Sequence, residues 1–178
     1  MTSFDLVTLW QLSLQLAVVK MYVVQVVGYK NSGKTTFISQ WIEYLKKKDY
    51  HVATIKHHGH GGEPEQVQET DSYQHFNRGA KLTTVIGENQ LLMTADKKKL
   101  SLEKLLLFYQ AIGIDVVMIE GYKHLPLPKV VLLQQERDPI LETVENVKYV
   151  YKENPEYIFN QVEANWHDFE FDKIKTFL

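Results

Sequence analysis

The chain has 178 residues, 44% of them apolar and 24% charged, and its 20 basic and 22 acidic side chains leave a formal charge of -2. That length suits one domain able to bury on the order of 70% of its unfolded surface without a disulfide or metal staple. The near-neutral balance excludes a non-specific nucleic-acid binder and a highly charged disordered tail.

The absence of cysteine removes thiol nucleophiles, thiolate zinc sites and disulfides, and it fits a reducing cytoplasm. Among the 20 basic residues only Arg78 and Arg137 are arginine, so a mechanism that needs a guanidinium has two candidates.

Residues 1–20 are rich in Leu and Val but interrupted by Asp5, Gln11, Ser13 and Gln15. They are too polar for a membrane-spanning helix and lack the positive start and small-residue cleavage site of a signal peptide. They read either as a helix or strand packed on the domain or as an extension before a strand-first domain starting at Met21. The division adopted is an extension of residues 1–20 and a nucleotide-binding domain of residues 21–178, with no membrane and no nucleic-acid partner.

Tyr22–Val27 is an apolar β-branched run ending at Gly28, which predicts a buried strand. Thr35–Lys48 predicts a helix with Phe37, Ile38, Trp41, Ile42 and Leu45 on one face and three lysines at its negative end. His51–Lys56 predicts a strand, residues 57–67 a loop, and Asp71–Arg78 a short helix stopped by Gly79. Leu82–Ile86 and Gln90–Thr94 predict two strands around the turn Gly87-Glu88-Asn89.

Ser101 caps a predicted helix carrying Leu102, Leu105, Leu106 and Tyr109, with Gly113 as its stop. Asp115–Glu120, Lys129–Leu133 and Val147–Tyr151 predict strands, and Glu156–Val162 and Phe169–Phe177 predict helices. The alternation of strands and helices predicts an α/β fold with a mainly parallel sheet, and the segment 82–94 an antiparallel pair within it.

Gly28-Tyr29-Lys30-Asn31-Ser32-Gly33-Lys34-Thr35-Thr36 matches G-x-x-x-x-G-K-[ST], placed between a predicted strand and a predicted amphipathic helix. In this motif Gly28 is expected to give the chain a conformation that other residues resist, and Gly33 to let backbone N–H groups approach a phosphate. Lys34 supplies a point charge to the β- and γ-phosphates, Thr35 offers a hydroxyl to Mg²⁺, and the helix N-terminus adds its dipole.

A phosphate loop needs a carboxylate for the metal or the attacking water, usually at the end of a neighbouring strand. Glu120 follows four apolar residues and precedes Gly121, which favours that role; Asp71, opening a short helix, reads equally as an N-cap or a metal ligand. Asp115 lies at the far end of its strand and is discounted. His57, His58 and His60 crowd a strand end. They read as substrate or nucleotide contacts, as a polar loop, or as a zinc site, the last disfavoured because His57 and His58 point opposite ways on an extended chain.

The phosphate loop, Ile55-Lys56-His57-His58-Gly59-His60, Asp71-Ser72-Tyr73 with Arg78-Gly79-Ala80, Ile119-Glu120-Gly121-Tyr122-Lys123 and Pro128-Lys129-Val130-Val131-Leu132 occur in this order. Together they resemble the MobB family of molybdenum cofactor biosynthesis over about Tyr22 to Leu133. The resemblance implies a three-layer P-loop NTPase-like α/β fold that binds GTP with Mg²⁺, hydrolyses it weakly, and forms homodimers.

It also implies an adapter role for MobA, the guanylyltransferase that joins GMP to molybdopterin or its molybdenum form. On that basis Gly28–Thr36 hold the GTP phosphates and Thr35, with Asp71 or Glu120, the metal. Dimeric P-loop relatives often carry Lys just after the first glycine, whereas here that position is Tyr29 and the lysine is Lys30. No N-K-x-D motif is present, so a guanine preference rests on the resemblance. Arg78 is the one candidate for an internal arginine finger, which predicts slow or partner-dependent hydrolysis. The competing readings are a P-loop kinase acting on a cofactor precursor and a non-enzymatic interaction domain.

Overall fold

A computed structural model describes residues 20–58, 62–64 and 70–175. The expectations for residues 1–19, for His60 and for the last residues of the C-terminal helix lie outside that set. The strands are β1 (Tyr22–Val27), β2 (Val52–Lys56), β3 (Leu82–Ile86), β4 (Leu91–Ala95), β5 (Val116–Glu120), β6 (Lys129–Leu132) and β7 (Val147–Tyr151). The helices are α1 (Lys34–Lys46), α2 (Asp71–Asn77), α3 (Leu102–Ala111), α4 (Ile140–Thr143), α5 (Pro155–Ala164) and α6 (Phe171–Ile174), with one turn of 3₁₀ helix at Trp166–Asp168.

Five strands form one sheet in the order β2-β5-β1-β6-β7, and all four pairings are parallel. The middle strands are mostly apolar because helices cover both faces. Val24, Val26, Met118, Val130 and Leu132 pack under α1 and α5, against Phe37, Trp41, Leu45 and Phe159. Val23, Val117 and Ile119 pack on the opposite face with Leu106 of α3 and Phe171 and Ile174 of α6. The expected three-layer α/β arrangement is therefore present. Trp41 stacks on Phe159 at 5.1 Å, and Phe37 completes an aromatic wedge between the two helices and the sheet.

Two expectations are corrected. The hairpin β3–β4 is a two-stranded sheet of its own, not an antiparallel pair within the main sheet. The helix expected over residues 169–177 begins at Phe171, because the preceding residues pair with the start of the central strand. There Val23 N–H donates to Phe169 O at 2.8 Å, Phe171 N–H donates to Met21 O at 2.7 Å, and Tyr22 bridges Glu170. The four-residue α4 was not expected, since one turn carries no periodicity. It is set by the buried carboxylate of Asp138, which accepts from Ile140 N–H and Gln134 N–H.

Candidate functional site

β1, β5 and β2 run in register, so that Glu120 lies beside Val26 on one side and Lys56 on the other. Their C-terminal ends, where ligands of open parallel sheets bind, bring together the loop after β1, the segment 120–123 and His57.

The loop after β1 enters α1 through Gly33, which is left-handed at φ 81, with Asn31 also at positive φ. α1 has no side-chain cap and no acidic residue in its first turn. Its first N–H groups and positive end are thereby left to an anion. Lys34 opens this turn and folds back: its Nζ donates to Tyr29 O at 2.7 Å and lies 3.5 Å from Ser32 Oγ. Thr35 and Thr36 follow, both exposed.

The two glycines have the opposite roles to those expected. Gly28 does not lie in the left-handed region, but a methyl there would collide with Ser32 Oγ and lie 2.8 Å from Leu132 O. Gly33 has open space around it and is required by its backbone angle. On the outer side, Gln134 Nε2 donates to Lys30 O at 2.6 Å and ties the loop to the end of β6.

Glu120 is mostly buried, with 17% of its side chain exposed, and pairs with Lys56 at 3.7 Å. Its carbonyl accepts from His57 N–H at 2.9 Å. The His57 ring packs on Tyr122 at 4.0 Å between centroids, and Lys123 Nζ lies 4.4 Å from the Tyr29 ring centroid. Burial pushes the Lys34 ammonium below the ordinary lysine value; Glu120 opposes this, while Lys123 and Lys56 add to it. The site thus gathers three lysines around one carboxylate, a charge pattern that fits a polyanion.

Other expected residues stand apart. Asp71 begins α2 as its first helical residue, and the cap is Thr70, whose hydroxyl accepts from Tyr73 N–H. The cap reading of Asp71 is therefore corrected. No hydrogen bond or ion pair among the described residues joins Asp71 to Glu120 or to the loop. Arg78 closes α2 and is exposed, and Arg137 is exposed beyond β6. His58 is exposed beside His57. No group of three or more metal-ligating side chains occurs among the described residues. Asp115 lies at the far end of the sheet, as expected, and accepts from His51 N–H.

Gln25 and Lys129 were not anticipated. Both are fully buried and face each other across β1 and β6. Gln25 Nε2 donates to Gly121 O at 2.6 Å and to Tyr122 O. Lys129 Nζ donates to Leu125 O and, at 2.9 Å, to Leu127 O. Together they pin the segment 121–127 beside the loop after β1. The available signal was a glutamine inside the run Tyr22-Val23-Val24-Gln25-Val26-Val27, since a buried polar side chain needs partners.

The profile of the family described as "Molybdopterin guanine dinucleotide synthesis protein B" (MobB) matches residues 23–151, from β1 through β7. The chain belongs to this family. A Bacillus subtilis protein named "Probable molybdopterin-guanine dinucleotide biosynthesis adapter protein" is 41% identical over 134 residues, 73% of this chain and 76% of that one. A Methanocaldococcus jannaschii protein named as a putative adapter of the same biosynthesis is 38% identical over 65% of this chain and 49% of its own length. The crystal structure of Bacillus subtilis MobB superposes with a TM-score of 0.65 at 34% identity, covering 81% of this chain and 97% of that one. The MobB match includes residues 28–36, Glu120 and Lys123, and excludes α5 and α6.

Proposed function

We propose that this MobB-family chain binds GTP with Mg²⁺ at the phosphate loop, hydrolyses it slowly, and serves as a cytoplasmic homodimeric adapter. In this reading it assists a MobA-like guanylyltransferase in attaching GMP to molybdopterin or its molybdenum form. The observation that carries the nucleotide site is the uncapped, acid-free start of α1, with Lys34 beside it and Glu120 at the end of the adjacent strand. The names of the relatives support the pathway, and the exposed apolar hairpin β3–β4 supports self-association.

The oxygen donors present, the Thr35 hydroxyl and the Glu120 carboxylate, are the chemistry Mg²⁺ takes. The metal, when bound, neutralises charge on the terminal phosphates. The chain's own contribution is positional: α1 and Lys34 hold the phosphates, and Glu120 accepts a hydrogen bond from a water or a metal-bound ligand. Lys56 pairs with Glu120 at 3.7 Å and holds its carboxylate in place. Slow turnover follows from the placement of Arg78 and Arg137, both exposed and without a hydrogen bond to the loop among the described residues.

The test is Lys34→Ala, titrated with a fluorescent GTP analogue and Mg²⁺, with ATP as competitor. The expected result is a loss of about 100-fold in affinity with an unchanged melting profile, because a charge-assisted phosphate contact is removed from the surface. Affinity equal to the parent's would overturn the nucleotide site.

A further inference from the structure

Lys123 has no role in the reading above, yet its placement is specific. It sits three residues beyond Glu120 on the segment that leaves β5, and its ammonium lies 4.4 Å from the ring centroid of Tyr29, the second residue of the phosphate loop. No carboxylate among the described residues comes within ion-pair distance of it. The cation therefore rests on an aromatic face, a contact that an anion of higher charge displaces readily.

The backbone that presents Lys123 is strained and fastened. Gly121 and Tyr122 are both at positive φ, 90° and 53°, a conformation that costs energy for a tyrosine. It is held by the buried Gln25 amide, which donates to the carbonyls of both residues. A few residues further on, the buried Lys129 ammonium holds the carbonyls of Leu125 and Leu127. On the other face, Tyr122 packs on His57. Three side chains, Gln25 of β1, Lys129 of β6 and His57 after β2, thus hold the segment that presents this lysine to the phosphate loop. A strained segment with this much support indicates a position under functional constraint.

Lys34 and Lys123 both reach Tyr29, the first through its carbonyl oxygen and the second through its ring. Each feels the other's charge, which adds to the burial that lowers Lys34. A phosphate group placed between them relieves that repulsion. The segment after β5 lies on the side of the loop where Glu120 stands, which in phosphate-loop proteins is the side of the metal and the terminal phosphate.

We infer that Lys123 is a second phosphate-binding cation of the site, held on the Tyr29 ring and recruited to the terminal phosphate of a nucleoside triphosphate. It supplies from β5 the charge that neither arginine is placed to give. The inference rests on the phosphate-loop reading of residues 28–36 and adds to it a preference for triphosphate over diphosphate.

The experiment titrates mant-GTP and mant-GDP, each with Mg²⁺, into the full chain, Lys123→Ala and Lys123→Arg. Lys123→Ala is expected to weaken mant-GTP roughly tenfold and to leave mant-GDP within about twofold, while Lys123→Arg keeps the triphosphate preference. If Lys123→Ala does not fold, Lys123→Gln, which keeps the stem over Tyr29, takes its place. Unchanged affinity for both nucleotides overturns the inference, and so does an equal loss for both, which reports a merely structural contact with Tyr29. A parent chain that binds neither nucleotide overturns the phosphate-loop reading and this inference with it. A parent that binds both with no effect of the substitution overturns only the role of Lys123.

Discussion

β1 and β3 are both short runs of β-branched and apolar residues, yet Val23, Val24, Val26 and Val27 are fully buried whereas Ile86 is 81% exposed. In β4, Leu91 and Leu92 are 65% and 69% exposed. The difference lies in what covers each strand. β1 is central, with a neighbour on each edge and helices on both faces. The hairpin is paired only within itself, and its tip is apolar on both faces, Ile86 opposite Leu91 and Val85 opposite Leu92. Apolar, β-branched composition makes a strand in either place; burial depends on the layers around it. In the sheet the close packing constrains the site, and in the hairpin apolar surface is left exposed.

The sheet should be unforgiving where the loop leaves it, and Gly28 tests this most severely. A methyl there would lie 2.8 Å from the Leu132 carbonyl oxygen and collide with Ser32 Oγ. The serine can rotate away, but the carbonyl belongs to the β6 backbone. Gly28→Ala is expected to cost about 2–4 kcal/mol in chemical denaturation, in the range of overpacked or strained core positions. Nucleotide binding should fall with it. Gly33→Ala, which meets open space and is strained only by its φ of 81, should cost about 1 kcal/mol. A Gly28→Ala protein as stable as the parent would mean that the loop and β6 are not packed as tightly as the sheet is.

A second test uses the one lysine sealed inside the sheet. Burial pushes the Lys129 ammonium down to about 8, with Glu145 opposing. In the unfolded chain it keeps its proton up to the ordinary lysine value. Between those two pH values the unfolded chain binds more protons than the folded one, so the contribution of Lys129 to stability rises with pH across that window, and its full cost is present below pH 8.

Tyr109, whose hydroxyl burial pushes up, works the other way above pH 10. The measurement is therefore the difference between the parent and Lys129→Met in urea denaturation from pH 7.5 to 10. The parent is expected to gain on the order of 1–3 kcal/mol relative to the variant. A constant difference across the range would mean that the carbonyls of Leu125 and Leu127 hold the ammonium charged as well as water does.

The strands, the first helix and the turn between them were legible because they rest on local patterns: apolar runs of strand length, one helical face from Phe37 to Leu45, and a glycine-bounded motif joining them. The place of Glu120 at the end of β5 was legible from its position after Val116-Val117-Met118-Ile119. What was not legible depends on three dimensions. That Gly28 is needed for space and Gly33 for angle follows from the approach of Leu132, 104 residues along the chain, which no local pattern contains. Lys123 reaches Tyr29 from a loop whose carbonyls are held by Gln25 and Lys129, on other strands. The hairpin 82–94 was legible as a hairpin, but its separation from the main sheet was not, because alternation of apolar residues does not say which edge a strand joins.

The smallest effect on the single chain is expected at the hairpin tip, and it sharpens the comparison most. Ile86 and Leu91 are cross-strand partners with most of their surface exposed, so replacing both by threonine removes little that the fold has buried. Threonine keeps the strand preference, and the change should lie within about 0.5 kcal/mol in denaturation at a concentration where the parent is itself monomeric. Self-association should respond very differently. If a second copy covers this apolar tip, two lost aliphatic side chains weaken the contact at its centre, and sedimentation should show the parent dimer shifted towards monomer by at least about tenfold in dissociation constant. A dimer that persists unchanged would place the contact elsewhere. A variant that melts as Gly28→Ala does would mean that the tip is part of the core after all, and that the two regions differ less than their exposure indicates.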